Sequence, residues 1–107
     1  TQKIITYIST DLTLDLSLNA MSELLNVNAS YLSTLFKREV GIPLTDYVNR
    51  ERVKQAKKLL LATEFPIKLI AEKCGIPDVY YFSRLFKKRT GYTPKTYREQ
   101  AIREHGK

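Results

Sequence analysis

The chain has 107 residues, 43% of them apolar, enough for one ordinary core or two small ones that share an element. Its net charge of +7 is unevenly placed: residues 1–36 hold one basic side chain (Lys3) and three acidic ones (Asp11, Asp15, Glu23), so the first third is −2 and the remainder +9. That balance favours a polyanionic partner, either nucleic acid or an anionic membrane surface, while one cysteine (Cys74) and one histidine (His105) exclude an internal disulfide and a four-ligand zinc site.

Apolar residues recur at helical spacing throughout, and no stretch alternates with a strand's period. A first helix over roughly residues 1–11 places Ile4, Ile5, Ile8 and Leu12 on one face. Ser17 can cap a second helix with Leu18, Met21, Leu24 and Leu25 as its buried stripe, ending near Asn26. Asn28 is a good N-cap for a third helix that carries Tyr31, Leu32, Leu35 and Phe36 inward, and Gly41 supplies the left-handed residue that ends it. A long helix from Pro43 to Ala62 follows, about 28 Å by its rise per residue. Pro66 opens a short helix through Ile67, Ile70, Ala71 and Cys74, broken at Gly75. Asp78 caps a sixth helix carrying Tyr81, Phe82, Leu85 and Phe86, which Gly91 ends, and Thr93 with Pro94 starts a last helix to about Glu104. The fold class is all-α, with seven helices.

The chain repeats itself. Tyr31, Ser33, Leu35, Phe36, Lys37, Gly41 and Tyr47 recur fifty residues later as Tyr81, Ser83, Leu85, Phe86, Lys87, Gly91 and Tyr97, where about one match in fifteen positions is expected by composition. Met21-Ser22 and Asn26-Val27 align with Ile70-Ala71 and Gly75-Ile76 at an offset of 49, so the second turn is one residue longer. Each unit is a short helix, a tight turn and a second helix, with a small residue (Ser22, Ala71) where the helices cross: a helix-turn-helix. The domain limits follow as residues 1–42 for the first unit, 43–62 for the linker helix and 63–107 for the second unit.

Catalysis has no support in these residues. No glycine-rich phosphate loop, HExxH or defensible Ser, His and Asp arrangement is present. His105 lies two residues from the last one, where a catalytic base would be poorly held, and Cys74 reads as a packed small hydrophobe. No cofactor or metal is called for.

The third and sixth helices carry the functional signal. With their apolar rows inward, Ser30, Ser33, Thr34 and Lys37 point outward on one, and Val79, Tyr80, Ser83, Arg84 and Lys87 on the other. Arg can take guanine bidentately, Ser and Thr can pair with several base edges, and Val or Tyr can pack on a thymine methyl. Lys37, Arg38, Lys87, Lys88 and Arg89 at the helix ends, with Lys95, suit phosphates instead of bases. A solvated face is the bland alternative for one such helix, and Val79 and Tyr80 can also fold into the core; two repeated faces favour a groove. Successive major-groove faces lie about 34 Å apart, a span the long helix approaches. Head-to-tail units then predict a directional, non-palindromic site bound by a monomeric domain.

The residues Ile70-Ala71, Gly75-Ile76, Tyr81-Phe82-Ser83-Arg84-Leu85-Phe86-Lys87-Lys88 and Gly91-Tyr92-Thr93-Pro94-Lys95-Thr96-Tyr97-Arg98, with Tyr47, Arg52, Ala56 and Leu59-Leu60 before them, resemble the DNA-binding domain of AraC-type (AraC/XylS) bacterial transcription regulators from about Leu12 to Arg98. The resemblance implies promoter binding with the third and sixth helices in consecutive major grooves, base reading at Ser30, Ser33, Thr34, Val79, Tyr80, Ser83 and Arg84, and contact with RNA polymerase on activation. Ile76 stands where that family usually has Phe, and Ser22 where it often has Ala. A start at Thr1 suggests a piece of a longer protein whose upstream part is an effector pocket or a receiver. No apolar run of about 18 residues and no signal-peptide pattern occur, so a cytoplasmic bacterial protein off the membrane is expected. A basic protein-interaction module and an RNA binder are the rival readings, the latter lacking a stacking platform.

Overall fold

The structure is a computed structural model; it describes the backbone of residues 1–105 and the side chains of residues 1–104, so the reading of the His105 side chain lies outside the described residues. Seven helices follow one another among the described residues, with no strand: α1 (Gln2–Thr10), α2 (Leu18–Leu25), α3 (Ala29–Val40), α4 (Leu44–Ala62), α5 (Ile67–Lys73), α6 (Val79–Thr90) and α7 (Pro94–His105). The chain divides into two compact units, Thr1–Glu51 and Arg52–Lys107, each with its own core.

In the first unit Ile4 and Ile8 of α1, Leu16, Met21 of α2, Leu32 and Phe36 of α3, and Leu44 and Val48 of α4 are buried together. Local chemistry fixes each helix start. The Ser17 hydroxyl accepts from the Ala20 N–H at 3.2 Å, and the Asn28 side chain accepts from the Tyr31 N–H at 3.1 Å, satisfying donors that a helix start leaves without partners. Between α2 and α3 the backbone turns through Asn26 at φ 55, ψ 47, a left-handed conformation that Asn tolerates better than most residues. The Asn26 N–H bonds the Glu23 carbonyl at 3.2 Å and the Val27 N–H bonds Ser22 at 3.0 Å. Ser22 is buried on the crossing face, and its hydroxyl donates to the Asn19 carbonyl at 2.8 Å, so a serine stands there with no polar atom left bare.

The second unit repeats this chemistry around Val53, Ala56, Leu60, Ile70, Ala71, Cys74, Ile76, Phe82, Leu85 and Phe86. The Gly75 N–H bonds Glu72 at 3.2 Å and the Ile76 N–H bonds Ala71 at 2.9 Å, the same pair of bonds at the same offset, with Gly75 at φ 93. One residue (Val27) separates the left-handed position from the N-cap in the first unit; Ile76 and Pro77 do so in the second, which is the extra residue of the alignment. Ile76 is buried, filling the core where the resemblance suggested Phe. Asp78 accepts from the N–H groups of Tyr80 and Tyr81 at 3.0 and 3.2 Å. The ends of α3 and α6 match as well: Phe36 meets Tyr47 edge-on at 5.5 Å, and Phe86 meets Tyr97 edge-on at 5.3 Å, a geometry that adds to simple burial.

Four orientations differ from the sequence reading. Leu24 is 55% exposed, because the packed face of α2 is centred on the buried small residue Ser22 and not on the widest apolar stripe. Tyr31 and Tyr81 are 60% and 43% exposed instead of inward: each lies about 100° round the helix from its buried neighbour, Leu32 or Phe82. Val79 is half-buried against the second core instead of outward. The short α5 also ends at Lys73, with Cys74 as its C-cap.

Arg98 is a structural residue that the reading of single positions did not single out. Its Nε, Nη1 and Nη2 donate to the carbonyls of Leu60 (3.1 Å), Phe65 (2.8 Å) and Thr63 (3.2 Å), closing the segment that leaves α4. The Leu60 carbonyl is among those that a helix end leaves unpaired, and a cation there also suits the helix dipole. Arg98→Ala should lower stability by about 2–4 kcal/mol, since it strands carbonyls bonded to a charged group. Arg98→Lys should rescue little, because one ammonium cannot reproduce the planar fork. Thermal unfolding of both variants at wild-type temperature would refute the clamp.

Cys74 is fully buried, its Sγ 3.4 Å from the Ala71 carbonyl. Burial pushes its thiol up to about 11 from an ordinary value of 9.0. Native protein should therefore resist thiol reagents at pH 8 and react on unfolding. Because the unfolded chain loses this proton first, the thiol lowers stability as pH rises from 9 towards 11, by roughly 1.4 kcal/mol per pH unit at most. Cys74→Ala should show a shallower decline over that range; equal slopes would remove the burial argument.

Candidate nucleic-acid interface

Because α3 and α6 start from side-chain caps and bury equivalent rows (Leu32 and Phe36, Phe82 and Phe86), the same face of each is left to solvent. On α3 that face carries Ser30 and Thr34, both exposed, with Lys37 and Arg38 exposed in the last turn. On α6 it carries Tyr80, 77% exposed, and Arg84, with Lys87, Lys88 and Arg89 exposed in the last turn. Ser33 and Ser83 sit half-buried at one edge of the face, and Val79 turns further in, against the second core. Lys95 is exposed in the first turn of α7.

This surface is polar and basic, and Arg84 on it has no acidic partner among the described residues. The Asp78 carboxylate, the nearest acidic group in sequence to Arg84, is occupied by the cap N–H groups of α6, and Arg84 makes no ion pair among the described residues. The basic last turns lie at helix C-termini, where the dipole favours cations; Gly41 and Gly91 then end the helices at φ 97 and 87. On this face, hydroxyl-bearing side chains and Arg84 thus lie in the first half of each helix, and the other cations in its last turn.

Other candidate sites do not compete. Among the described residues no group of His, Cys, Asp and Glu side chains could hold a metal ion, and no helix is long and apolar enough to cross a membrane. A cleft in the second unit, lined by Leu61, Glu64, Arg98 and Ile102 among others, contains no residue of α3 or α6. Sequence reasoning missed Tyr31 and Tyr81 as surface residues of these helices. The signal available was their wheel position beside, and not within, the row of Leu32 and Phe36 or Phe82 and Phe86.

A family model for a helix-turn-helix domain matches residues 21–100. The chain is 40% identical over 72 residues to the arabinose operon regulatory protein of Escherichia coli, covering 67% of this chain and 25% of that one. It is 36% identical over 98 residues to the bifunctional transcriptional activator/DNA repair enzyme AdaA of Bacillus subtilis, covering 92% and 46%. The chain thus spans less than half the length of the curated relatives it matches, and as little as 11% of one. Among solved structures, the C-terminal domain of the two-component response regulator yesN from Fusobacterium nucleatum superposes with a TM-score of 0.84 at 42% identity, covering 91% of this chain and 95% of that one. The DNA-binding domain of AdpA, solved with a target DNA, shares the fold at a TM-score of 0.93 and 16% identity, covering 99% and 96%. With the repeated turns, the matching caps and the family match across residues 21–100, this chain belongs to the AraC-type helix-turn-helix domain family.

Proposed function

We propose that this domain binds double-stranded DNA sequence-specifically and regulates transcription, α3 and α6 each entering a major groove. The observation that carries this reading is the repeated outward face: two capped helices, each with small polar or Arg side chains first and cations last. Ser30, Ser33 and Thr34 are the base readers of the first unit, and Tyr80, Ser83 and Arg84 those of the second, with Val79 supporting them from its half-buried place. Lys37, Arg38, Lys87, Lys88, Arg89 and Lys95 hold phosphates. The net charge of +7 supplies the attraction to the polyanion.

Head-to-tail repetition supports a directional, non-palindromic site in consecutive major grooves, read by one monomeric domain. The names of the relatives, among them a transcriptional activator and the C-terminal domain of a two-component response regulator, support a place in a longer bacterial regulator; an effector or receiver part, contact with RNA polymerase and a place at the nucleoid belong to the same proposal. The domain itself acts by binding, with no catalytic step.

Selection from a random duplex pool tests this directly: one asymmetric motif should emerge, and recovery of none would favour a protein partner docked on Tyr80. Log K should fall steeply with log salt, and Lys88→Ala should weaken all duplexes alike while reducing the slope by about one unit. A changed sequence preference with an unchanged slope would remove the phosphate role.

Arg84 separates recognition from folding. Arg84→Ala should cost about 1–3 kcal/mol in binding and relax preference at one base pair, with the melting temperature of the free domain nearly unchanged. Undiminished discrimination at every position of the selected site would exclude direct readout by this residue.

A further inference from the structure

Tyr31 and Tyr81 occupy equivalent places in the two units, and both defy the apolar pattern that would bury them. Each backbone N–H is held by the N-cap side chain, Tyr31 by Asn28 at 3.1 Å and Tyr81 by Asp78 at 3.2 Å, so each residue's angular position on its helix is fixed. The hydrogen bonds of both residues run through their backbone, and none to either phenolic hydroxyl is made among the described residues. A buried tyrosine would find a partner for that group; these two side chains are exposed.

Their position on the helix says what they meet. At about 100° per residue, Ser30 and Thr34 lie about 20° from the centre of the outward face of α3, opposite Leu32. Arg38 lies about 60° to one side, and Tyr31 about 80° to the same side. On α6 the same geometry puts Tyr80 and Arg84 at the centre, with Lys88 and Tyr81 along one edge. Tyr31 with Arg38, and Tyr81 with Lys88, thus form a row two turns long on the same flank of each helix. A helix seated in a major groove has bases before its centre and a sugar-phosphate strand along each flank, and tyrosine hydroxyls are among the usual donors to phosphate oxygens.

We propose that Tyr31 and Tyr81 are further DNA contacts, each donating its hydroxyl to a backbone phosphate on the flank held by Arg38 or Lys88; this rests on the DNA-binding reading above. Being neutral, the two hydroxyls set the depth and angle of each helix without displacing a counterion. Their contribution has a signature that no lysine shares: affinity without salt dependence.

The test uses Tyr31→Phe, Tyr81→Phe and the double variant, which lose only the hydroxyl oxygen, with the duplex selected by the wild-type domain. Each single variant should bind roughly tenfold more weakly, the lower end of what a hydrogen bond to a charged acceptor contributes, and the double variant about the product of the two. The salt slope, the discrimination among single-base variants and the melting temperature should all stay at wild-type values. A scan of single methylphosphonate linkages should find one position per unit that weakens the wild-type domain but not the matching Phe variant. Phe variants that bind as tightly as wild type would overturn the contact. Relaxed preference at a base pair would make it a base contact, and a lowered melting temperature would make the hydroxyl structural; either result overturns the proposal. If the wild-type domain selects no duplex at all, the DNA-binding reading fails first, and this inference with it.

Discussion

The rotational phase of α3 and α6 is the constraint on which the rest of the molecule depends. Two bonds set it from before each helix: the turn's backbone N–H groups return to α2 (Val27 to Ser22, 3.0 Å) or α5 (Ile76 to Ala71, 2.9 Å), and a side-chain cap starts the next helix. Two rings set it from behind, Phe36 on Tyr47 and Phe86 on Tyr97. A slip of one residue would turn each helix by about 100° and carry Thr34 or Arg84 off the outward face. Residues with no contact to a ligand, such as Ser22 and Asn28, thereby decide which residues can make one.

The same constraint explains how the two units tolerate different turns. One additional residue in the second loop would rotate α6 if the loop were followed rigidly, yet Ile76 is buried and Asp78 still caps, so the extra length is absorbed before the helix begins. Burial of an isoleucine stabilises by about 2 kcal/mol, comparable with the cap itself, and both hold the loop in one conformation. Asn26 and Gly75 solve the left-handed step differently, by a tolerant side chain in one unit and by none in the other.

Charge and polarity are ordered along α3 and α6 in a way that serves stability and, in the proposed function, binding as well. Cations in the last turns of α3 and α6 relieve the carbonyl ends of the helix dipoles, and in the proposed function the same cations meet the phosphates. Arg98 shows the contrasting use of a guanidinium: half-buried and bonded to three carbonyls of its own chain. Burial and partner geometry thus separate Arg98, a structural clamp, from the exposed Arg84, where sequence position does not.

Element order, caps and the repeat were legible in the amino-acid sequence because they are local: Ser17, Asn28 and Asp78 bond backbone within three residues, Gly41 and Gly91 relieve a local steric clash, and apolar spacing marks the buried rows. The family resemblance was legible for the same reason, since its motifs are these caps, turns and core residues. The breadth of each buried face was not. Leu24, Tyr31, Val79 and Tyr81 all lie at the margin of an apolar stripe, and hydrophobicity alone cannot say on which side of the margin a residue falls; the neighbouring elements decide, burying Ser22 and Ala71 and taking Val79 in while Leu24, Tyr31 and Tyr81 stay out. The partners of Arg98 were equally hidden, because the carbonyls it binds lie more than thirty residues away and only tertiary folding brings them to its side chain.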